Sequence, residues 1–103
     1  MVLWRHVRFY SLGDATMKMI IAIVKDHDAD PVTQALTNEN FRVTRIASTG
    51  GFLRSGVATL LIGVDDTDVD AAIRVLRESL GESKPGEKRA TLFVVPVERY
   101  EQV

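Results

Sequence analysis

The sequence contains no cysteine, and only two histidines and three prolines occur among its 103 residues. The absence of cysteine excludes disulfide bonds, thiol catalysis, and zinc or iron–sulfur sites with cysteine ligands. An excess of charge is absent too, because 13 Lys and Arg residues stand against 14 Asp and Glu residues, a formal net charge of -1. We therefore expect no nucleic acid polymer as a partner, and an anionic ligand would have to be held by a local cluster of donors.

Long hydrophobic runs are also missing. The longest apolar runs, such as residues 19–24, are far shorter than the ~20 residues that a transmembrane helix needs. Residues 1–10 carry charged and aromatic side chains that interrupt any hydrophobic region of a signal peptide. These features predict a cytoplasmic protein without a membrane partner.

The chain divides into a short amino-terminal extension and one domain. Residues 1–16 show no clear hydrophobic period, and residues 11–16 have a turn-like composition. We predict a flexible extension over 1–16 and a single domain over 17–103. An alternative for the extension is a basic, aromatic arm that clasps a partner.

From residue 17 onward the pattern predicts four strands and two helices. Short runs rich in β-branched residues predict strands over 19–24, 41–48, 57–64 and 90–97. Apolar residues at helical spacing follow the first and the third of these runs. The order βαββαβ predicts the α+β class and a ferredoxin-like sandwich, with two helices on one face of a four-stranded antiparallel sheet.

Three of the four predicted strands are apolar at successive positions, which is unusual for a sheet covered by helices on one side only. Such strands normally alternate apolar and polar residues, because one face meets solvent. The second face must therefore be covered as well. A second copy of the same chain is the expected cover, so the sequence predicts a homo-oligomer.

An acidic group stands at the start of each predicted helix. Residues 26–30 resemble the first half of a calcium-binding loop, but Pro31 and Thr37 occupy positions where that loop needs Gly and Glu. We predict instead that Asp28 or Asp30 caps the first helix and that the acidic group at 65–70 caps the second.

No catalytic arrangement can be recognised. His6 and His27 are isolated, and no serine or carboxylate stands at the spacing of a catalytic triad or a zinc site. The sequence therefore predicts no enzyme activity, no catalytic residues, no metal and no cofactor.

Binding residues are expected around the connection between the second and third strands. Gly50 and Gly51 would let the backbone approach an anion, and Phe52 would place a ring beside it. Arg42 and Thr44 share one face of the preceding strand, where they could pair with phosphate. The alternative is an ordinary hairpin loop whose glycines serve the turn.

Four segments together resemble the cyclic-di-AMP receptor family of PII-like signalling proteins. They are residues 17–24, 40–42, 48–56 and 93–97, and the run Thr49-Gly50-Gly51-Phe52-Leu53-Arg54 is the most specific of them. The resemblance implies a PII-like homotrimer without catalytic activity, which binds cyclic-di-AMP in clefts between subunits and is read out by an unknown protein target.

The resemblance also implies which positions contact the ligand. These are Asn40, Arg42 and Thr44 on the second strand, Gly51, Phe52 and Leu53 in the loop, and Gly63, Phe93 and Gln102 further along the chain. Val57 stands where the family carries an asparagine, and the connection at 81–89 is shorter than in the family. Two alternatives therefore stay open: a PII-like protein that binds ATP or another adenine nucleotide, and a structural or adaptor trimer without a ligand.

Overall fold

The structure, a computed structural model, describes residues 17–46, 56–81 and 85–103. Its elements follow the predicted order βαββαβ. The strands are β1 (Met17–Lys25), β2 (Arg42–Ile46), β3 (Val57–Asp65) and β4 (Ala90–Pro96), and the helices are α1 (Asp26–Asn38) and α2 (Val69–Leu80). The prediction of the α+β class is confirmed.

The four strands form one antiparallel sheet in the order β2-β3-β1-β4. The central strands β1 and β3 pair along nine residues, from Met17 opposite Asp65 to Lys25 opposite Val57. The shorter strands β2 and β4 form the two edges. The first and last strands of the domain are therefore neighbours, and two strands lie between β2 and β4.

The core lies between the sheet and the two helices. Alternate residues of β1 and β3 point towards the helices, because side chains alternate between the faces of a strand. Burying each large aliphatic side chain contributes about 1.5–3 kcal/mol relative to leaving it exposed. The largest fully buried side chains are Ile20, Val24, Val32, Leu36, Leu60 and Ile62.

The start of α1 differs from the prediction. The helix begins at Asp26, with Lys25 at the N-cap position and no side-chain hydrogen bond to the first turn. The backbone N–H of Asp26 donates instead to the carbonyl of Gly56 at 2.9 Å. The prediction that Asp28 or Asp30 caps this helix is therefore wrong, because both lie inside the helix.

The start of α2 agrees with the prediction only in part, because Asp68, the N-cap residue of the helix, makes no side-chain cap hydrogen bond. A single 3-10 turn, Asp66–Asp68, precedes the helix, and the carboxylate of Asp65 accepts a hydrogen bond from the backbone N–H of Thr67 at 3.2 Å. A short carboxylate side chain satisfies one of the N–H groups that the first turn leaves without a carbonyl partner.

The end of α1 forms a Schellman motif. Asn40 has a φ of 69°, in the left-handed region. Its backbone N–H donates to the carbonyl of Thr37, and the N–H of Phe41 donates to that of Leu36, both at 2.9 Å. Asparagine is one of the few residues that adopt this conformation readily. The motif turns the chain into β2 and places Phe41 against the core.

Candidate nucleotide-binding face of the sheet

The candidate residues of β2 lie on the face of the sheet opposite the helices, called the open face below. Arg42 is paired with Gly63 of β3, and Thr44 with Leu61. Both Arg42 and Thr44 are exposed, whereas Val43 between them packs against the core. The prediction that Arg42 and Thr44 share one face of the strand is confirmed.

Two arginines on β2 differ in their partners. Arg45, on the helix side, lies within ion-pair distance of Asp26 at 3.7 Å and Asp30 at 3.2 Å. Arg42, on the open face, has no ion-pair partner among the described residues. An arginine carries a permanent positive charge and five N–H donors arranged as a fork that matches phosphate. The guanidinium of Arg42 is therefore exposed on the open face without an ion-pair partner among the described residues.

Gly63 leaves space beside Arg42. A Cβ atom added at Gly63 would meet no atom within 4 Å, so packing in the described chain does not require glycine at this position. The missing side chain instead leaves open space on β3 beside its cross-strand partner Arg42. A flat ligand could approach the backbone closely at this point.

The middle of the open face is apolar. In register across the sheet, Thr44 is followed by Leu61, Ile21 and Phe93. Leu61 and Ile21 are half-buried, and Phe93 is 52% exposed. An exposed phenylalanine offers a ring on which a base can stack.

Phe93 does not lie next to Arg42 and Thr44. Two strands separate β2 from β4, and neighbouring strands are ~4.8 Å apart. Asn40, Arg42, Thr44 and Gly63 therefore lie together near the β2 edge, whereas Phe93 lies at the β4 edge.

Gln102 is exposed in the segment that follows β4. Gly51, Phe52 and Leu53 lie outside the described residues.

The acidic group at the start of α1 has a structural role that the sequence does not reveal. The carboxylate of Asp28 is almost buried and accepts a hydrogen bond from the guanidinium of Arg89 at 3.1 Å. The His27 ring lies 3.6 Å from the same oxygen, Oδ1. The other oxygen, Oδ2, is buried without a hydrogen-bond partner. Because 61 residues separate Asp28 from Arg89, no local pattern could have predicted this pair.

Neither a metal cluster nor a membrane span was found in the part of the chain that the structure describes. No group of three or more His, Asp or Glu side chains there could hold a metal ion. No described helix has both the length and the apolar composition needed to cross a membrane.

Solved structures identify the fold class. A crystal structure of Arabidopsis thaliana PII bound to citrate matches with a TM-score of 0.60 and 22% identity, over 82% of this chain and 79% of that chain. A functionally unknown protein from Pediococcus pentosaceus ATCC 25745 matches with a TM-score of 0.68 and 31% identity, over 86% of this chain and 99% of that chain. The fold is therefore PII-like.

The family follows from the sequence match. The model of the cyclic-di-AMP receptor family matches residues 17–85, well over half of the chain. The chain belongs to the cyclic-di-AMP receptor family, a non-enzymatic signalling family. The family resemblance, the PII-like fold and the expectation that the protein is not an enzyme are all confirmed.

Proposed function

We propose that this protein is a cytoplasmic sensor that binds cyclic-di-AMP in clefts between the subunits of a homotrimer and passes the signal to a protein partner. The observation that carries the proposal is Arg42, which is exposed beside Gly63 and has no ion-pair partner among the described residues. Family membership supplies the ligand class.

The chemistry of the ligand suits the residues of the open face. A cyclic dinucleotide carries two phosphates and two adenines, so its site needs cationic donors together with apolar platforms. Arg42 would pair with a phosphate through its planar fork, and the Thr44 hydroxyl would donate a hydrogen bond. Asn40 would contribute its amide, and Phe93 a face for stacking.

The positions of these residues favour a site that two subunits complete. Arg42 and Thr44 lie near one edge of the sheet and Phe93 near the other. A ligand bound between two subunits could meet the β2 edge of one subunit and the β4 edge of its neighbour. Covering the apolar open face in a trimer would also remove Ile21 and Leu61 from water, which favours association.

The loop residues, the carboxyl-terminal segment and the amino-terminal extension belong to the same proposal. In this scheme Gly51, Phe52 and Leu53 would form the loop above the ligand, and Gln102 would close over a base. Residues 1–16 would remain a flexible extension outside the domain at 17–103. Readout would occur through a change in population between free and bound conformations, without chemistry at the ligand.

Calorimetric titration with cyclic-di-AMP and, in parallel, with ATP tests the proposed function. We expect saturable binding of cyclic-di-AMP that weakens by about tenfold or more in Arg42→Ala, because a charged hydrogen bond to phosphate is lost. Arg45→Ala is the matched control, since Arg45 lies on the same strand but faces the helices. Equal losses in the two variants would contradict the assignment of Arg42, and tighter binding of ATP would favour the alternative ligand.

A further inference from the structure

An open groove lies on the helix side of the sheet, between α2 and the edge strand β4. Its volume is about 300 Å³. The floor is apolar and is formed by Ile73, Leu76 and Leu80 of α2 together with Leu92 of β4. This groove is separate from the proposed nucleotide site, because Leu92 points to the face of the sheet opposite to Phe93.

The groove exists because the helices leave part of the edge strand uncovered. Leu92 is paired with Ala22, which is fully buried on the helix side, yet Leu92 itself is only half-buried. Ile73 and Leu80 are likewise half-buried at the margin of the core. The floor of the groove is thus a continuation of the hydrophobic core that still contacts water.

Among the described residues, the charged side chains that line the groove are those of Arg77 and Arg89, and no acidic residue of the described part of the chain lines it. Arg89 is held in place by Asp28, with 19% of its side chain exposed. Arg77 is exposed and forms no ion pair within the described ranges 17–46, 56–81 and 85–103. The electrostatic preference of the groove is therefore for a negative group beside an apolar one.

We propose that this groove docks a peptide segment of a partner protein in which one or two apolar side chains stand next to a carboxylate. A volume of about 300 Å³ is at the small end of ligand pockets, and it suits one or two side chains. The apolar side chains would cover Leu80 and Leu92, and the carboxylate would pair with the fork of Arg77.

Charge argues against the amino-terminal extension as the occupant. Residues 1–16 contain Arg5 and Arg8, and Asp14 is their only carboxylate side chain. A segment of this composition would bring positive charge towards Arg77. The proposal goes beyond nucleotide binding, because the two sites occupy opposite faces of the sheet and could be filled at the same time.

Selection of displayed random seven-residue peptides on the immobilised full chain tests the groove. We expect enriched peptides that combine Leu, Ile or Phe with Asp or Glu, and about tenfold weaker binding of these peptides to Arg77→Glu. Arg74→Glu is the matched control, because Arg74 is exposed on the same helix and does not line the groove. Binding to Arg74→Glu should equal that of the unchanged protein.

Three results would overturn the docking site. They are the absence of any enriched peptide, enriched peptides without acidic residues, and equal binding to Arg77→Glu and the unchanged protein. A change in oligomer size in Arg77→Glu, measured by sedimentation, would assign the groove to a second copy of the chain and overturn the proposal too. Cyclic-di-AMP titration of Arg77→Glu separates this test from the proposed function, because nucleotide binding should be retained.

Discussion

At the scale of single residues, Asn40 combines a backbone role with a proposed binding role. Its left-handed backbone conformation ends α1, and its exposed side chain lies near the β2 edge beside Arg42. Substitution can separate the backbone role of Asn40 from its proposed binding role. Glycine keeps the backbone conformation and removes the amide, whereas alanine removes the amide and disfavours the conformation.

We therefore expect Asn40→Gly to leave the free energy of unfolding nearly unchanged and Asn40→Ala to lower it by about 1 kcal/mol. Urea denaturation measures both values. Cyclic-di-AMP affinity should fall in both variants if the amide contacts the ligand. If cyclic-di-AMP affinity were unchanged in Asn40→Gly, the only role of Asn40 would be to end helix α1.

Arg89 is a second residue whose importance is not visible in the sequence. Substitution Arg89→Met removes the partner of a carboxylate that is almost buried, and an unpaired charge there is costly. We expect the free energy of unfolding to fall by about 2 kcal/mol, within the usual range of destabilising single substitutions.

Arg45→Met is the matched control for Arg89→Met. Its ion pairs with Asp26 and Asp30 are exposed, and exposed pairs contribute at most about 1 kcal/mol. Chemical denaturation of the two variants under identical conditions gives the comparison. If Arg45→Met lowered the free energy of unfolding as much as Arg89→Met does, burial of the Asp28 carboxylate would not explain the loss of stability in Arg89→Met.

At the scale of elements, α1 shows where local patterns succeed and where they fail. The apolar spacing correctly indicates a helix, and Val32 and Leu36 are fully buried as expected. The predicted start of the helix is wrong, because an acidic residue can cap a helix or lie in its first turn with equal ease. The choice of Asp26 as the first residue depends on the carbonyl of Gly56, which only the tertiary fold brings to that position.

Pro31 is the sixth residue of α1 and lies beyond the first turn. Proline has no N–H to donate to the preceding turn, and its ring crowds the carbonyl four residues earlier. We expect Pro31→Ala to raise the free energy of unfolding by about 1 kcal/mol or more. Thermal and urea denaturation check this increase, and an unchanged or lower value would mean that the chain relieves the crowding locally.

At the scale of the whole molecule, the sequence could predict the layers and the apolar open face, but it could not predict the residues that face each other across strands. Alternation within one strand fixes which residues share a face, as it does for Arg42 and Thr44. Pairing of Arg42 with Gly63 is a property of the register. The register of β2 against β3 is set by all the residue pairs between the two strands together.

The proposed homotrimer can be tested on the open face. Ile21 is half-buried between Leu61 and Phe93 and points away from the core. We expect Ile21→Asp to shift the sedimentation of the protein from trimer to monomer, because it places a charge in an apolar interface. Circular dichroism should show that the secondary structure is retained. A monomeric unchanged protein at micromolar concentration would contradict the trimer itself.

The position of β4 beside β1 has a consequence for how the chain is made. The ribosome releases β1 first, but one long side of that strand stays without its hydrogen-bonding neighbour until residues 90–96 have emerged. Asp28 also stays in water until Arg89 arrives. The sheet can therefore close only late in synthesis, and contacts between distant parts of a chain form slowly. During that interval the unpaired edge of β1 can pair with other chains and needs protection from them.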